Sequence, residues 1–264
     1  MEIIGYILTF LVGLTLGIMG SGGSILIIPT LIYLFKIEAL QATTYSLFLI
    51  GITALLGSFS KIKSKLVDFK LVIWFGLPSL FSMFITRTFL ISYLPTKISV
   101  PYIGNLSQQL YLISAFAFIM FLAGYSMITN KQEECIECGK KLQENKPLLI
   151  VQGLIIGLIS GIFGAGGGFL IIPGLVIFGK TPMKNAVSTS LFLVAINSIM
   201  GFVSSINQFQ SLNFNLLFIL TLLSILGIIL GNKISKQIQS EQLKPYFGYF
   251  ILVISIFILI KEYA

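Results

Sequence analysis

Two thiols three positions apart, Cys135 and Cys138 in the segment KQEECIECGKKLQENK, are the most reactive side chains in this sequence. Cys-x-x-Cys followed by glycine is one knuckle of a zinc ribbon, but a tetrahedral site needs four ligands. The chain has no histidine, so such a site closes only in a homodimer whose second subunit supplies two more thiolates. The same spacing suits a redox pair, which would make the protein a membrane thiol oxidoreductase, and a solvated loop without chemistry is the third reading. Two cysteines are too few for a disulfide framework. The missing histidine also removes Ser-His triads and imidazole proton relays.

Neutral hydrogen-bond donors form the second group. Thr43, Thr44 and Ser46 lie together, as do Ser188, Thr189 and Ser190. Hydroxyls of this kind donate to an oxyanion without burying a charge, or they bond the preceding turn of their own helix. Asn197 follows the second cluster in an apolar run, where an uncharged amide requires a partner. Arg87 is the only arginine. It falls near the end of an apolar run, where snorkelling to the interface is its expected role and substrate capture the alternative.

Backbone supplies a third kind of donor at Gly20-Ser21-Gly22-Gly23-Ser24 and at Gly164-Ala165-Gly166-Gly167-Gly168. Each glycine disfavours a helix by about 1 kcal/mol relative to alanine, so three in the first segment and four in the second break it. A helix restarting after the break presents free N–H groups and its positive dipole end, both of which attract an anion. Irregular backbone within a membrane is tolerated where it packs in protein or lines a wet cavity. The expected substrate-binding set is therefore Gly20, Ser21, Gly22, Gly23, Ser46, Gly164, Gly166, Gly167, Gly168, Ser188, Thr189, Ser190 and Asn197, with no catalytic residue and no cofactor. Gly13-xxx-Gly17 and Gly157-xxx-Gly161 are small-xxx-small patterns and are assigned to helix packing.

These residues sit in a chain of 264 that is 56% hydrophobic and 10% charged, far from the soluble balance of about 25% charged. The apolar runs lack a polar stripe, so they face lipid or one another on all sides. The partner of such a surface is a lipid bilayer. A net charge of +8 comes from lysines in short connecting loops, which points to membrane orientation and not to nucleic acid. The first run carries Glu2 where a signal peptide has basic residues, and it is read as mature structure.

The sequence repeats without gaps at an offset of 144 residues: GLTLGIMGSGGSILIIPTLIYLFK from Gly13 lies over GLISGIFGAGGGFLIIPGLVIFGK from Gly157. Identity holds at 20 of the 47 positions from 13 to 59, and the shared glycines, proline and serine are not generic apolar filler. Each copy contributes five hydrophobic segments, at 3–19, 25–35, 39–59, 71–94 and 110–128, then at 148–163, 169–178, 186–206, 214–230 and 246–260. The expected fold is all-α and integral to the membrane. Residues 1–130 form a first transmembrane repeat, 131–147 a cytoplasmic linker with the cysteine pair, and 148–264 a second transmembrane repeat. The second segment of each copy is too short to cross a hydrocarbon core about 30 Å thick, so it is expected to form a broken or re-entrant half-helix.

Basic residues in short loops favour the cytoplasm. If the first two segments of each copy make two passes or a re-entrant pair, the copies are inverted and 13 of the 17 basic residues fall on one side; if they make one broken span, the copies are parallel and the best split is 9 to 8. The inverted arrangement is expected, with both termini external, as in many secondary transporters.

The G-xxx-G-xx-G-x-GG-xxxxx-P pattern, present from Gly13 to Pro29 and again from Gly157 to Pro173, with Ala-Val-Ser-Thr-Ser at 186–190, resembles the sulfite exporter TauE/SafE family of membrane anion transporters. The resemblance implies a transporter, by export or uptake, of sulfite, a sulfonate or a related sulfur-containing or organic anion; export is the expected direction, because an interior-negative potential favours it. An anion channel and the thiol oxidoreductase are the alternatives. The first copy departs from the pattern at Thr43-Thr44-Tyr45-Ser46, where Tyr45 stands opposite Thr189.

Overall fold

The structure, a computed structural model, describes residues 2–90, 97–100, 104–129, 146–164, 166–178, 181–205, 212–235, 237–238 and 240–263. Helix α1 (Glu2–Met19) runs into a tight 3-10 segment, Gly20–Leu26, and a short α2 (Ile27–Tyr33). Then come α3 (Ala39–Lys63), α4 (Phe69–Leu90), α5 (Gln108–Thr129), α6 (Lys146–Phe163) and a short α7 (Gly168–Pro173) continued by a π-turn at Gly174–Phe178. The chain finishes with α8 (Met183–Ser205), α9 (Phe214–Ser235) and α10 (Ser240–Tyr263). Among the described residues, seven helical stretches are long and apolar enough to cross a membrane, residues 3–33 counting as one. The exposed side chains are large and apolar, Ile3, Phe81, Phe218 and Val253 among them, as a surface solvated by lipid requires.

One element departs from the all-α expectation. Between α4 and α5, β1 (Lys97–Val100) pairs antiparallel with β2 (Gly104–Ser107). Strands of four residues are too short for the alternation of a sheet to stand out in a sequence.

The glycine segments reverse the chain. Gly20 has φ 67° and Gly164 has φ 69°, left-handed angles that only glycine adopts without strain. After the first reversal α2 runs back along α1: a Cβ on Gly5 would lie 2.6 Å from the Phe35 ring, and the Tyr6 and Phe35 rings stand 5.5 Å apart. After the second, α7 returns along α6, with Gly167 against Ser160 and Gly174 against Ile156. Of the two readings weighed from the sequence, a re-entrant or two-pass pair and one broken span, the geometry is the folded-back pair that the charge split favours.

The long helices pack in pairs, each joining the two halves of the chain. Helices α1 and α9 run in the same direction, Gly13 meeting Ser224 and Gly17 meeting Gly231; α4 and α6 do likewise, with Gly157 at Ser79 and Gly161 at Thr86. Helices α3 and α8 run in opposite directions, Leu47 meeting Gly201 and Gly57 meeting Leu191, with the Phe48 and Phe202 rings 5.0 Å apart. These two are the most buried spans, 67% of each against about 40% for the others, so they form the centre of the bundle. Helices α5 and α10 also cross in opposite directions, at Gly124 and Gly248.

Corresponding positions do corresponding work. Thr189 Oγ1 accepts a hydrogen bond from the Asp68 N–H at 3.0 Å, and the Tyr45 hydroxyl accepts one from the Asn213 N–H at 2.7 Å. Asp68 and Asn213 in turn cap the first turns of α4 and α9 through their side-chain oxygens. The departure at Tyr45 is thus a longer side chain making the contact that Thr189 makes in the other half.

Candidate functional site

The two glycine segments come together in the bundle. The Ser21 hydroxyl donates to the Gly168 carbonyl at 2.7 Å, and the Ser24 hydroxyl donates to the Ser21 carbonyl at 2.8 Å. Residues 20–25 are all buried. Each segment also abuts the start of a central helix from the other half. A Cβ on Gly20 would lie 2.5 Å from the Val187 carbonyl oxygen of α8, while one on Gly164 would overlap Thr43 of α3, the position 144 residues before Val187. The Ser46 hydroxyl lies between the Thr43 and Gly164 carbonyl oxygens, at 2.8 and 2.5 Å.

The remaining expected donors are distributed more widely. Ser188 and Ser190 donate within α8, to the carbonyls of Lys184 and Val187, which is the usual behaviour of hydroxyls in a span. Thr189 faces the start of α4 as described. The Asn197 amide donates to Ser79 Oγ on α4 at 2.9 Å and is buried. Gly22 packs under the Phe247 ring of α10 and Gly23 against Thr15 and Leu16 of α1. Gly166, with φ 63°, faces Ser198, and Gly167, with φ 74°, starts α7. Ser21, Ser46, Gly20, Gly164 and Gly168 therefore belong to one cluster, and Ser188, Thr189 and Asn197 to helix contacts around it. Cys135 and Cys138 lie outside the described residues. Among the described residues, no three metal-ligating side chains converge.

Arg87 is where the structure corrects the sequence reading most sharply. It does not snorkel. The side chain is 0% exposed, and a Cβ on Gly164 would overlap its Nη2. Its backbone lies in a π-turn, Thr86–Leu90, which departs from the regular α-helical rotation of side chains and recurs at functional sites. The apparent position near a segment end misled because α4 packs along α6 and inward at that end. The detectable signal was a lone guanidinium within an otherwise uncharged run. Ser198, next to Asn197 in sequence, is a second residue sequence reasoning passed over. It is fully buried, and among the described residues its Oγ makes no hydrogen bond.

A narrow, mostly apolar cleft lined by Ile28, Thr43, Ile113, Phe116 and Phe163 reaches this region from between α2, α5 and α6. The site thus combines one buried cation, several hydroxyls and glycine backbone, without a carboxylate among its named members. The hydroxyl, backbone N–H and guanidinium groups among them are all hydrogen-bond donors.

Comparison with known proteins gives a consistent result. The profile of a family described as sulfite exporter TauE/SafE matches residues 6–258. A probable membrane transporter protein of Xylella fastidiosa strain Temecula1 is 25% identical, covering 96% of this chain and 93% of its own. The probable membrane transporter protein YunE of Bacillus subtilis is 26% identical over 89% of this chain and 90% of its own. A shorter match, 35% identical across 42% of this chain and 43% of the relative, is to the probable membrane transporter protein MJ0441 of Methanocaldococcus jannaschii. No solved structure matches significantly.

Proposed function

Because the chain belongs to the sulfite exporter TauE/SafE family of membrane transporters, we propose that it exports a small anion such as sulfite, a sulfonate or a related organic anion. The path runs through the paired glycine segments. The observation that carries this reading is the meeting of the two segments at the Ser21 to Gly168 hydrogen bond, with the buried guanidinium of Arg87 against Gly164 of the second segment. Irregular backbone and a buried charge are both costly in a bilayer, and in membrane proteins both characteristically mark an ion path. Complete burial of residues 20–25 fits an occluded carrier better than an open channel.

Energetics favour the outward direction. An interior-negative potential drives an anion out by about 2.3 kcal/mol per charge per 100 mV, so export needs no carboxylate proton relay. Purified protein in liposomes should release loaded sulfite or methanesulfonate, and flux should accelerate when the potential is made more negative on the loaded side. Flux insensitive to potential, or absent for every small anion tried, would sink the proposal.

The two halves are read as inverted repeats. The antiparallel packing of α3 on α8 and of α5 on α10 supports it, because two halves related by an axis along the membrane normal would bring equivalent helices together in parallel. The basic residues then place residues 131–147 in the cytoplasm and both termini outside. Reporter fusions after Lys63 and after Gly139 should read cytoplasmic, and one at Ala264 external. A cytoplasmic reading at Ala264 would overturn this topology.

A further inference from the structure

We propose that Arg87 and Ser198 together hold the transported anion at the second glycine segment, and that the first segment has no equivalent charged site. This deepens, and rests on, the reading of the chain as an anion transporter. Arg87 reaches the turn from α4 and contacts Gly164; Ser198 reaches it from α8 and contacts Gly166, two positions along. Both side chains are 0% exposed. Among the described residues Ser198 Oγ makes no hydrogen bond, so a buried donor faces Gly166, two positions from the Gly164 that the guanidinium touches. Gly164 and Gly166 carry no side chain, and each position would be filled if it did. Absence of a Cβ is what lets Arg87 approach Gly164 and Ser198 approach Gly166.

The chemistry of the pair defines the ligand class. A guanidinium presents two parallel N–H groups that match two oxygens on one centre, and it binds such groups better than it binds a spherical ion. Ser198 adds a single neutral donor to a further oxygen. The site therefore takes a small oxyanion of the sulfite, sulfonate or carboxylate type in preference to a halide.

Asymmetry follows from the packing. Ser79 of α4 meets Gly157 as Ser224 of α9 meets Gly13, so α4 and α9 correspond at an offset of 145 residues and Arg87 corresponds to Asn232. Asn232 has no charge and gives its amide to the Gly57 carbonyl at 3.1 Å. Helix α9 is also a regular α-helix throughout, without the π-turn that carries Arg87. One half supplies the charge, and the other supplies packing.

The test uses the purified full-length chain, with thermal-shift and calorimetric titration against sulfite, methanesulfonate, acetate and chloride at constant ionic strength. The wild type should bind the first three more tightly than chloride. Arg87→Gln should raise the methanesulfonate Kd about a hundredfold, as expected on truncating a buried charged partner. Ser198→Ala should raise it about three- to tenfold, and Asn232→Ala should leave it within about twofold. Should Arg87→Gln not fold, Arg87→Lys decides: keeping the charge but losing the fork, it should weaken methanesulfonate binding about tenfold and leave chloride unchanged. Wild-type affinity for methanesulfonate in a folded Arg87 variant overturns this inference while the transporter reading stands. An equal loss in Asn232→Ala overturns the asymmetry. Failure of the wild type to bind or move any of these anions overturns the transporter reading and this inference with it.

Discussion

Gly13→Leu and Gly157→Leu should each yield no stable folded protein. A Cβ at either position would overlap the carbonyl oxygen of the serine opposite, Ser224 for Gly13 and Ser79 for Gly157. The obstacle is backbone on both sides, so no rotamer change relieves it, and the two helices of the pair must separate. Ordinary overpacking costs about 1 to 3 kcal/mol; prising apart a tightly packed helix pair with a four-carbon side chain should exceed the upper figure. Detergent-extracted yield and thermal unfolding of both variants check the expectation. Gly174→Ala is the contrast. Its Cβ would meet only the flexible end of Ile156 at 2.9 Å, and alanine regains about 1 kcal/mol of helix propensity, so stability should change little. A Gly157→Leu protein melting within a few degrees of the wild type would show that the close α4–α6 approach is wrong.

Gly164→Ala should nearly abolish transport in protein that still folds. The residue sits at φ 69°, where an L side chain costs about 1 to 2 kcal/mol, and the added methyl falls on Thr43 and the Arg87 guanidinium. Helix α3 is central and held along its length by α8, so the side chain of Arg87 is what yields. Displacing the guanidinium from the turn should lower flux per folded molecule about a hundredfold, equivalent to roughly 2.8 kcal/mol. Proteoliposome flux normalised to folded protein measures this, with thermal stability recorded in parallel. Unchanged flux at reduced stability would mean that the second glycine segment is structural and the path lies elsewhere.

Much of the architecture was legible because membranes impose coarse rules. Long uncharged runs announce spans, and a gapless repeat carrying glycine, proline and serine in register announces two related halves. The break at Gly20–Gly23 and its copy at Gly164–Gly168 were visible for the same reason, since so many glycines have no helical use. The hydroxyls were harder to sort. Ser46 bonds its own helix and also reaches the opposite half, whereas Ser188 and Ser190 bond only their own helix, yet Ser190 occupies the repeat position of Ser46, 144 residues on. Their sequence neighbours are alike; what differs is which helix stands opposite.

Composition and periodicity by themselves determined that this chain lives in a bilayer, that its halves share one plan, and that the helices break where the glycines fall. Each of these depends on local chemistry: transfer of apolar groups into lipid, and the backbone freedom of glycine. Only the tertiary structure decided that Tyr45 and Thr189 serve as matching clamps and that Arg87 turns inward. Those outcomes depend on which surfaces meet across more than 70 residues of chain, as Arg87 meets Gly164. An arginine's distance from the end of an apolar run is written in the sequence. Whether that end of the helix faces lipid or another helix is set by packing, and packing put the only guanidinium against the second glycine turn.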